Sequence, residues 1–239
     1  MPKTMHLPDA KKTAPSPKHE PAGFRVFIDF DNTISIGDVL DGVIEKFSID
    51  DSWRALENAW ADGRIGAREC LDGQVRGLRA DWPDLARHLE GVKLDPGFAT
   101  LRDLLRREGV ELTIVSDNFD VLLGHILRHN GLADVACYAN HLELADDSLL
   151  PSFPFNNPDC PTCAHCKKTH FLPPNDDARQ VIFIGDGRSD ICPARHADIV
   201  FAKDSLLTYL QNAVIPCIAY HDLTEVAHAL KKHLHESKI

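Results

Sequence analysis

Two carboxylates one residue apart, in Asp29-Phe30-Asp31-Asn32-Thr33, follow directly on the apolar run Arg25-Val26-Phe27-Ile28. Downstream, Ile114-Val115 leads into Ser116-Asp117-Asn118, and Val181-Ile182-Phe183-Ile184 leads into Gly185-Asp186-Gly187-Arg188-Ser189-Asp190. Each apolar run has the length of a buried strand, and ligands of open α/β sheets bind at the carboxyl ends of strands. In a parallel sheet Asp29, Asp31, Asp186 and Asp190 therefore converge. Four neighbouring carboxylates repel one another and retain protons unless a cation neutralises them, and an all-oxygen donor set suits a hard ion such as Mg2+. Such a site beside a Ser and a Lys meets the needs of phosphoryl transfer: an Asp can attack phosphorus, and a second carboxyl group can protonate the leaving alkoxide. Taken singly, Asp-x-Asp or Gly-Asp-Gly is an ordinary solvated turn. Their order, with Ser116 between them and a Lys ahead of the last acid, is what points to chemistry.

The elements that must position these groups are legible as short apolar runs at 24–30, 112–115, 181–184, 199–201 and 215–219, which read as buried strands. Helical spacing lies between and after them, as in Phe98, Leu101, Leu104 and Leu105, in Val121, Leu122, Ile126 and Leu127, and in Val226, Ala229 and Leu230. Alternation of strands and helices predicts an α/β fold, a Rossmann-like three-layer sandwich with a mainly parallel central sheet. The segment 37–93 breaks the rhythm with apolar positions at Val39, Val43 and Phe47, at Trp53, Leu56 and Trp60, and at Leu71, Val75 and Leu78. It reads as an all-helical insert. The expected division is a flexible tail at 1–23, a core at 24–36 and 94–239, and the insert at 37–93.

With 44% hydrophobic and 26% charged residues over 239 positions, the composition is that of a globular protein. A net charge of −10 without a dense Lys/Arg block argues against non-specific nucleic-acid binding, which depends on neutralising phosphates. No apolar run reaches the ~18 residues of a membrane span, and no signal-type apolar segment stands near the start, so no membrane association and a cytoplasmic location are expected. The expected partner is a small phosphorylated metabolite. Nothing in the sequence indicates an oligomeric state.

The four motifs together resemble those of the haloacid-dehalogenase-like phosphohydrolase superfamily: Asp29-Phe30-Asp31-Asn32-Thr33, Ile114-Val115-Ser116-Asp117, Cys166-Lys167-Lys168, and Gly185-Asp186-Gly187-Arg188-Ser189-Asp190. The resemblance implies that Asp29 is the nucleophile and Asp31 the general acid/base, with Ser116 and Lys167 binding the transferring phosphoryl group. It implies Mg2+ ligation by the side chains of Asp29 and Asp186 and the backbone carbonyl of Asp31, with Asp190 orienting Lys167 or a metal-bound water. Lys167 is the lysine that the Cys-Lys pair designates, its neighbour Lys168 being the alternative, and a helix starting near it would direct its positive end at the phosphate.

The insert resembles the helical cap of phosphoserine phosphatases, which can close over the site and select the substrate. There Asp38 takes the place of a substrate-facing acid, whereas Gln74 stands where those enzymes carry an Arg for the serine carboxylate. Asp117-Asn118 replaces a Gly pair after Ser116 and adds two further candidate substrate contacts. Loss of a bidentate Arg partner disfavours phosphoserine. The Cys-Lys pair after a Cys- and Pro-rich loop, with Ala197-Asp198-Ile199-Val200-Phe201-Ala202-Lys203, is similar to methionine-salvage phosphatases acting on 2-hydroxy-3-keto-5-methylthiopentenyl-1-phosphate. Phosphocholine and phosphoethanolamine phosphatases share the Cys-Lys pair and, with a phosphoserine-type phosphatase, are the alternative, as is, in another class, a non-catalytic binding protein on the same fold.

Cys160-Pro161-Thr162-Cys163-Ala164-His165-Cys166, with His170 four residues on, has the spacing of a metal knuckle. Three readings stay open: Zn2+ held by Cys160, Cys163, Cys166 and His170, a reversible Cys160–Cys163 disulfide, and plain packing of a loop. The remaining cysteines, Cys70, Cys137, Cys192 and Cys217, stand among apolar residues and read as small packing residues.

Overall fold

The computed structural model describes residues 23–146, 148–160, 162–171 and 179–236. Most of the expected tail, 1–22, therefore lies outside the described residues. Strand β1 (Phe24–Ile28) is buried along its whole length, as a central parallel strand covered on both faces must be. It lies between β2 (Glu111–Phe119) and β5 (Gln180–Gly185) in a seven-stranded sheet. On the β2 side follow β3 (Ala136–Ala145) and β4 (Ser148–Ser152); on the other, β6 (Ile199–Ala202) and β7 (Ile218–Ala219). All neighbours pair parallel except the β3–β4 hairpin.

Alternation along β1 divides the core. Val26 and Ile28 face one side, where α5 (Gly97–Glu108), α6 (Asp120–His129) and α9 (Leu223–Glu236) contribute Phe98, Leu101, Ile126, Val226 and Leu230. Phe27 faces the other, with Val115, Phe183 and Leu206 of α8 (Asp204–Asn212). Helix α5 stops at Gly109, whose φ of +69° is the left-handed cap that glycine adopts without strain.

Four helices lie between Ser35 and Leu94, which are joined by a β-bridge: α1 (Val39–Phe47), α2 (Trp53–Ala61), α3 (Ala67–Arg76) and α4 (Trp82–Leu89). Their buried residues Val43, Ile44, Val75, Leu85 and Leu89, with Leu78 just after α3, belong to the same apolar cluster as the α6 face of the sheet.

Several local expectations shift. The strand expected at 24–30 ends at Ile28, because Asn32 takes a left-handed φ of +55° and turns the chain. The strand expected at 112–115 runs on to Phe119 with a register irregularity between Val115 and Phe119, so Ser116-Asp117-Asn118 lies within β2 rather than beyond it. The strand expected at 215–219 contracts to Ile218–Ala219. Strands β3 and β4 were not expected at all: their faces are half exposed, and Pro151 argues against a strand except at an edge, where β4 lies. Instead of a helix, Lys167–His170 form a single 3-10 turn.

Candidate active site

Ile28 pairs with Ile114 on one side and Ile184 on the other, so Asp29 emerges level with Val115 and Gly185. Its N–H donates to the Ile184 carbonyl at 2.9 Å. The turn at Asn32 then folds the chain back, and Thr33 Oγ1 donates to Asp186 Oδ1 at 3.0 Å. Asp31 is held from three directions. The Val39 N–H donates to Oδ1 at 2.9 Å, Asn118 Nδ2 lies 3.1 Å from both carboxylate oxygens, and Ser116 Oγ is 3.4 Å from Oδ2.

Lys167, 1% exposed, closes the cluster. Its Nζ donates to Asp29 Oδ1 and Asp190 Oδ1, both at 2.7 Å, and to Ser189 Oγ at 3.1 Å. The other Asp190 oxygen accepts the N–H groups of Asp186 (3.0 Å) and Gly187 (3.2 Å). Asp190 thus ties the lysine to the loop after β5. This approach needs glycine at 185, since a Cβ there would collide with the Asp190 carboxylate and lie within 2.9 Å of the Phe183 ring. Lys168 is half-buried and has no part in this cluster of bonds.

The electrostatics follow from burying four acids around one ammonium. Burial, then Asp190, drives the Asp29 carboxyl well above its ordinary range, with Lys167 opposing. Burial, then Asp38, pushes Asp31 up to about 8 against the Asn118 hydrogen bonds. Asp186 rises to about 7 through burial and Asp190. Burial works against the Lys167 charge, but Asp190 and Asp29 outweigh it and hold the ammonium well above the usual lysine range. Carboxylate oxygens of Asp29, Asp186 and Asp190 lie within 4.8 Å of one another. An acid-rich, all-oxygen pocket with a single buried cation fits a hard divalent ion. Both Asp190 oxygens are already bonded and the Asp31 side chain is engaged by Val39 and Asn118, so Asp29 and Asp186 are the side chains best placed to hold it.

A cavity of about 340 Å³ opens over these groups, lined among others by Asp29, Asp31, Ser116, Asp186, Trp60 and Leu71. Asp38, Gln74, Asp117 and Asn118 also line it. Asp38 accepts the Asp41 N–H at 2.9 Å and so caps α1. Gln74 is 2% exposed and donates to Glu57 at 3.1 Å, so Glu57, which its place on α2 did not single out, completes an acidic wall with Asp38 and Asp41. Asp117 is pushed up to about 6 by burial, with Lys167 opposing. Asn118, which lines the cavity as well, gives its amide to Asp31 and is 1% exposed.

Sequence reasoning missed His165. It is buried, its Nδ1 lies 2.8 Å from the Ser116 carbonyl, and its Nε2 lies 2.7 Å from His170 Nε2. Burial, then His170, lowers His165 to about 3, so the ring is neutral and its Nδ1–H donates to Ser116. His170 Nε2 is thereby engaged by His165, and His170 is not in the cluster that Cys160 and Cys163 form. Cys192, expected to be simple packing, instead joins Cys160 and Cys163, their sulfurs within 4.8 Å of one another. No periodicity could have given this, because Cys192 lies on α7 (Ile191–Ala194), beyond β5.

A parallel sheet that brings an Asp-x-Asp turn, a buried Lys and a Gly-Asp loop to one edge is the arrangement of the haloacid-dehalogenase-like phosphatases, and the chain is an enzyme of that class. The comparisons agree at two levels. Residues 24–208 match the family described as Putative Phosphatase, and the chain belongs to it. The 2-hydroxy-3-keto-5-methylthiopentenyl-1-phosphate phosphatase of Brevibacillus brevis is 29% identical over 84% of this chain and 93% of that protein. That of Exiguobacterium sibiricum is 26% identical over 84% and 94%. A phospho-aspartyl intermediate analogue of phosphoserine phosphatase superposes with a TM-score of 0.64 at 18% identity, covering 87% of this chain and 98% of that one. A substrate-bound phosphoserine phosphatase complex gives 0.65 at 18%, covering 88% and 99%. At that identity these two likenesses speak for the fold. Among the described residues no helix is long and apolar enough to cross a membrane.

Proposed function

We propose that the chain is a Mg2+-dependent phosphomonoesterase in which Asp29 attacks phosphorus and Asp31 moves the proton. The observation that carries this reading is the buried Lys167 ammonium 2.7 Å from both Asp29 and Asp190. A cation there favours the ionised, nucleophilic form of Asp29 and presents positive charge to a phosphoryl oxygen. Mg2+ held by Asp29, Asp186 and the Asp31 carbonyl would neutralise the remaining negative charge of acids and phosphate.

Asp31, whose burial favours the protonated form, gives its proton to the leaving oxygen, which departs as an alcohol while Asp29 becomes an aspartyl phosphate. Water then attacks that phosphate. Asp31 takes back a proton from it, and inorganic phosphate leaves. Ser116 Oγ stands beside Asp31 to bond a phosphoryl oxygen, and Asp190 positions Lys167. In this reading 37–93 is the cap, its residues Trp60, Leu71 and Gln74 forming the substrate side of the cavity.

For the substrate, a phosphoester of the kind named for the curated relatives, with an uncharged leaving group, is the first choice. The acids Asp38, Asp41 and Glu57 repel a carboxylate, and Gln74 beside them offers it no cation, which counts against phosphoserine. The same acids with Trp60 favour one second reading, a cationic leaving group of the phosphocholine or phosphoethanolamine type.

The test is phosphate release from a panel of phosphorylated metabolites, with Mg2+ or EDTA, for the native chain and Asp29→Asn. Turnover that needs Mg2+ and disappears in Asp29→Asn is expected. Turnover retained in Asp29→Asn overturns the mechanism, and phosphoserine as best substrate overturns the reading of the wall.

A further inference from the structure

Beside the loop that carries Lys167, thiols from separate parts of the chain meet. The sulfurs of Cys160, Cys163 and Cys192 lie within 4.8 Å of one another, with 3.1 Å between Cys160 and Cys163. Cys163 and Cys192 are within hydrogen-bond reach. Cys166, fully buried and accepting from Asn157 Nδ2 at 3.6 Å, places a fourth sulfur beside Cys160 and Cys192 but outside that 4.8 Å group. Simple packing does not account for three thiols from a loop and a helix meeting at one point with a fourth beside them. A disulfide would use two of them and leave the others unexplained. Zinc bound tetrahedrally by sulfur at ~2.3 Å sets its ligands about 3.8 Å apart, so the three clustered sulfurs need only small adjustments and Cys166 a larger one.

We propose that Cys160, Cys163, Cys166 and Cys192 bind one structural zinc ion. Binding releases the thiol protons to solvent and leaves four thiolates on the ion, with no change of oxidation state. Lys168 and His196, which face Cys192, offset part of the resulting negative charge. Between β4 and the turn at Lys167 the described residues form no helix or strand, and a segment of that length without regular structure needs another restraint. The ion supplies one. Cys166 immediately precedes Lys167 and Cys192 lies two residues after Asp190, so a single ion fastens together the two segments whose side chains form the 2.7 Å Lys167–Asp190 pair. The proposal stands whether or not the assignment of Asp29 holds.

The test uses the full chain, purified without chelator, desalted under reducing conditions and analysed for metal. About one zinc per chain is expected in the native protein and in Cys217→Ser, with most of it lost in Cys163→Ser and Cys192→Ser. Replacement by cobalt should give a sulfur-to-metal charge-transfer band, which a metal bound only by carboxylates lacks. Should the variants fail to fold, the native protein still decides the matter: an organomercurial should release the zinc in step with modification of the protected thiols. A chain reloaded with zinc that retains none, a cobalt form without the thiolate band, or a Cys160–Cys163 disulfide found by mass spectrometry in a metal-free active protein overturns the proposal.

Discussion

Asn118→Ala isolates one role in the site. Its amide lies 3.1 Å from both oxygens of Asp31, and Ser116 Oγ, at 3.4 Å, is too distant to replace it. These bonds favour the carboxylate and oppose burial, which already pushes Asp31 up to about 8. A hydrogen bond to a charged group contributes roughly 1.5–3 kcal/mol, and 1.36 kcal/mol corresponds to one pKa unit. Removing it should therefore move the alkaline limb of the pH–rate profile upward by about one to two pH units, because the acid form persists to higher pH. Proton transfer should also slow, since the carboxyl group is both a weaker acid and less well fixed, by about 10- to 100-fold out of the 10²–10⁴ that a general acid contributes. The assay is kcat against pH for an alkyl phosphate, with stopped-flow release of nitrophenolate from p-nitrophenyl phosphate as control. The control's first turnover needs no proton donor and should change little. A limb that stays or moves down, or an equal loss in the first turnover of both substrates, would refute the reasoning.

Lys167→Met removes the cation bonded to both Asp29 and Asp190, and breaking such a buried pair costs about 3–5 kcal/mol. A lower urea midpoint and loss of turnover are expected, with the stability loss smaller near pH 5, where the buried Asp29 carboxyl, left without its cation, can take up a proton. Gly185→Ala sets a Cβ against the Asp190 carboxylate, an overpacking cost of about 1–3 kcal/mol that should appear as a lower Tm together with reduced kcat. In EDTA the folded chain keeps protons on Asp31 and Asp186 between the ordinary carboxylate value and about 7–8 that the unfolded chain has released. Stability in that window should fall as pH rises, and Mg2+ should flatten the decline; thermal melts from pH 5 to 8.5 that show no such difference would count against a cation at the acids.

Much of the site is local in sequence, and that part was legible. Asp29 and Asp31 lie just beyond an apolar run, and Asp186 and Asp190 lie in a Gly-containing loop after another. Strand burial alone puts them at one sheet edge, so the α/β class, the acid cluster and the phosphatase reading needed no coordinates. Spacing also gave the helical character of 37–93. What only the tertiary structure decided depends on partners far apart along the chain. That the Asn118 amide meets Asp31 is set by the register shift inside β2 and the turn at Asn32. That His170 belongs to His165 rather than to the cysteines depends on the turn at Lys167, and that Cys192 meets Cys160 and Cys163 depends on how the helix after β5 packs beside the loop. The β3–β4 hairpin escaped because a half-exposed edge carries little periodicity. A sequence records where each group leaves its strand; which group it then faces is fixed by the packing of elements that the sequence separates.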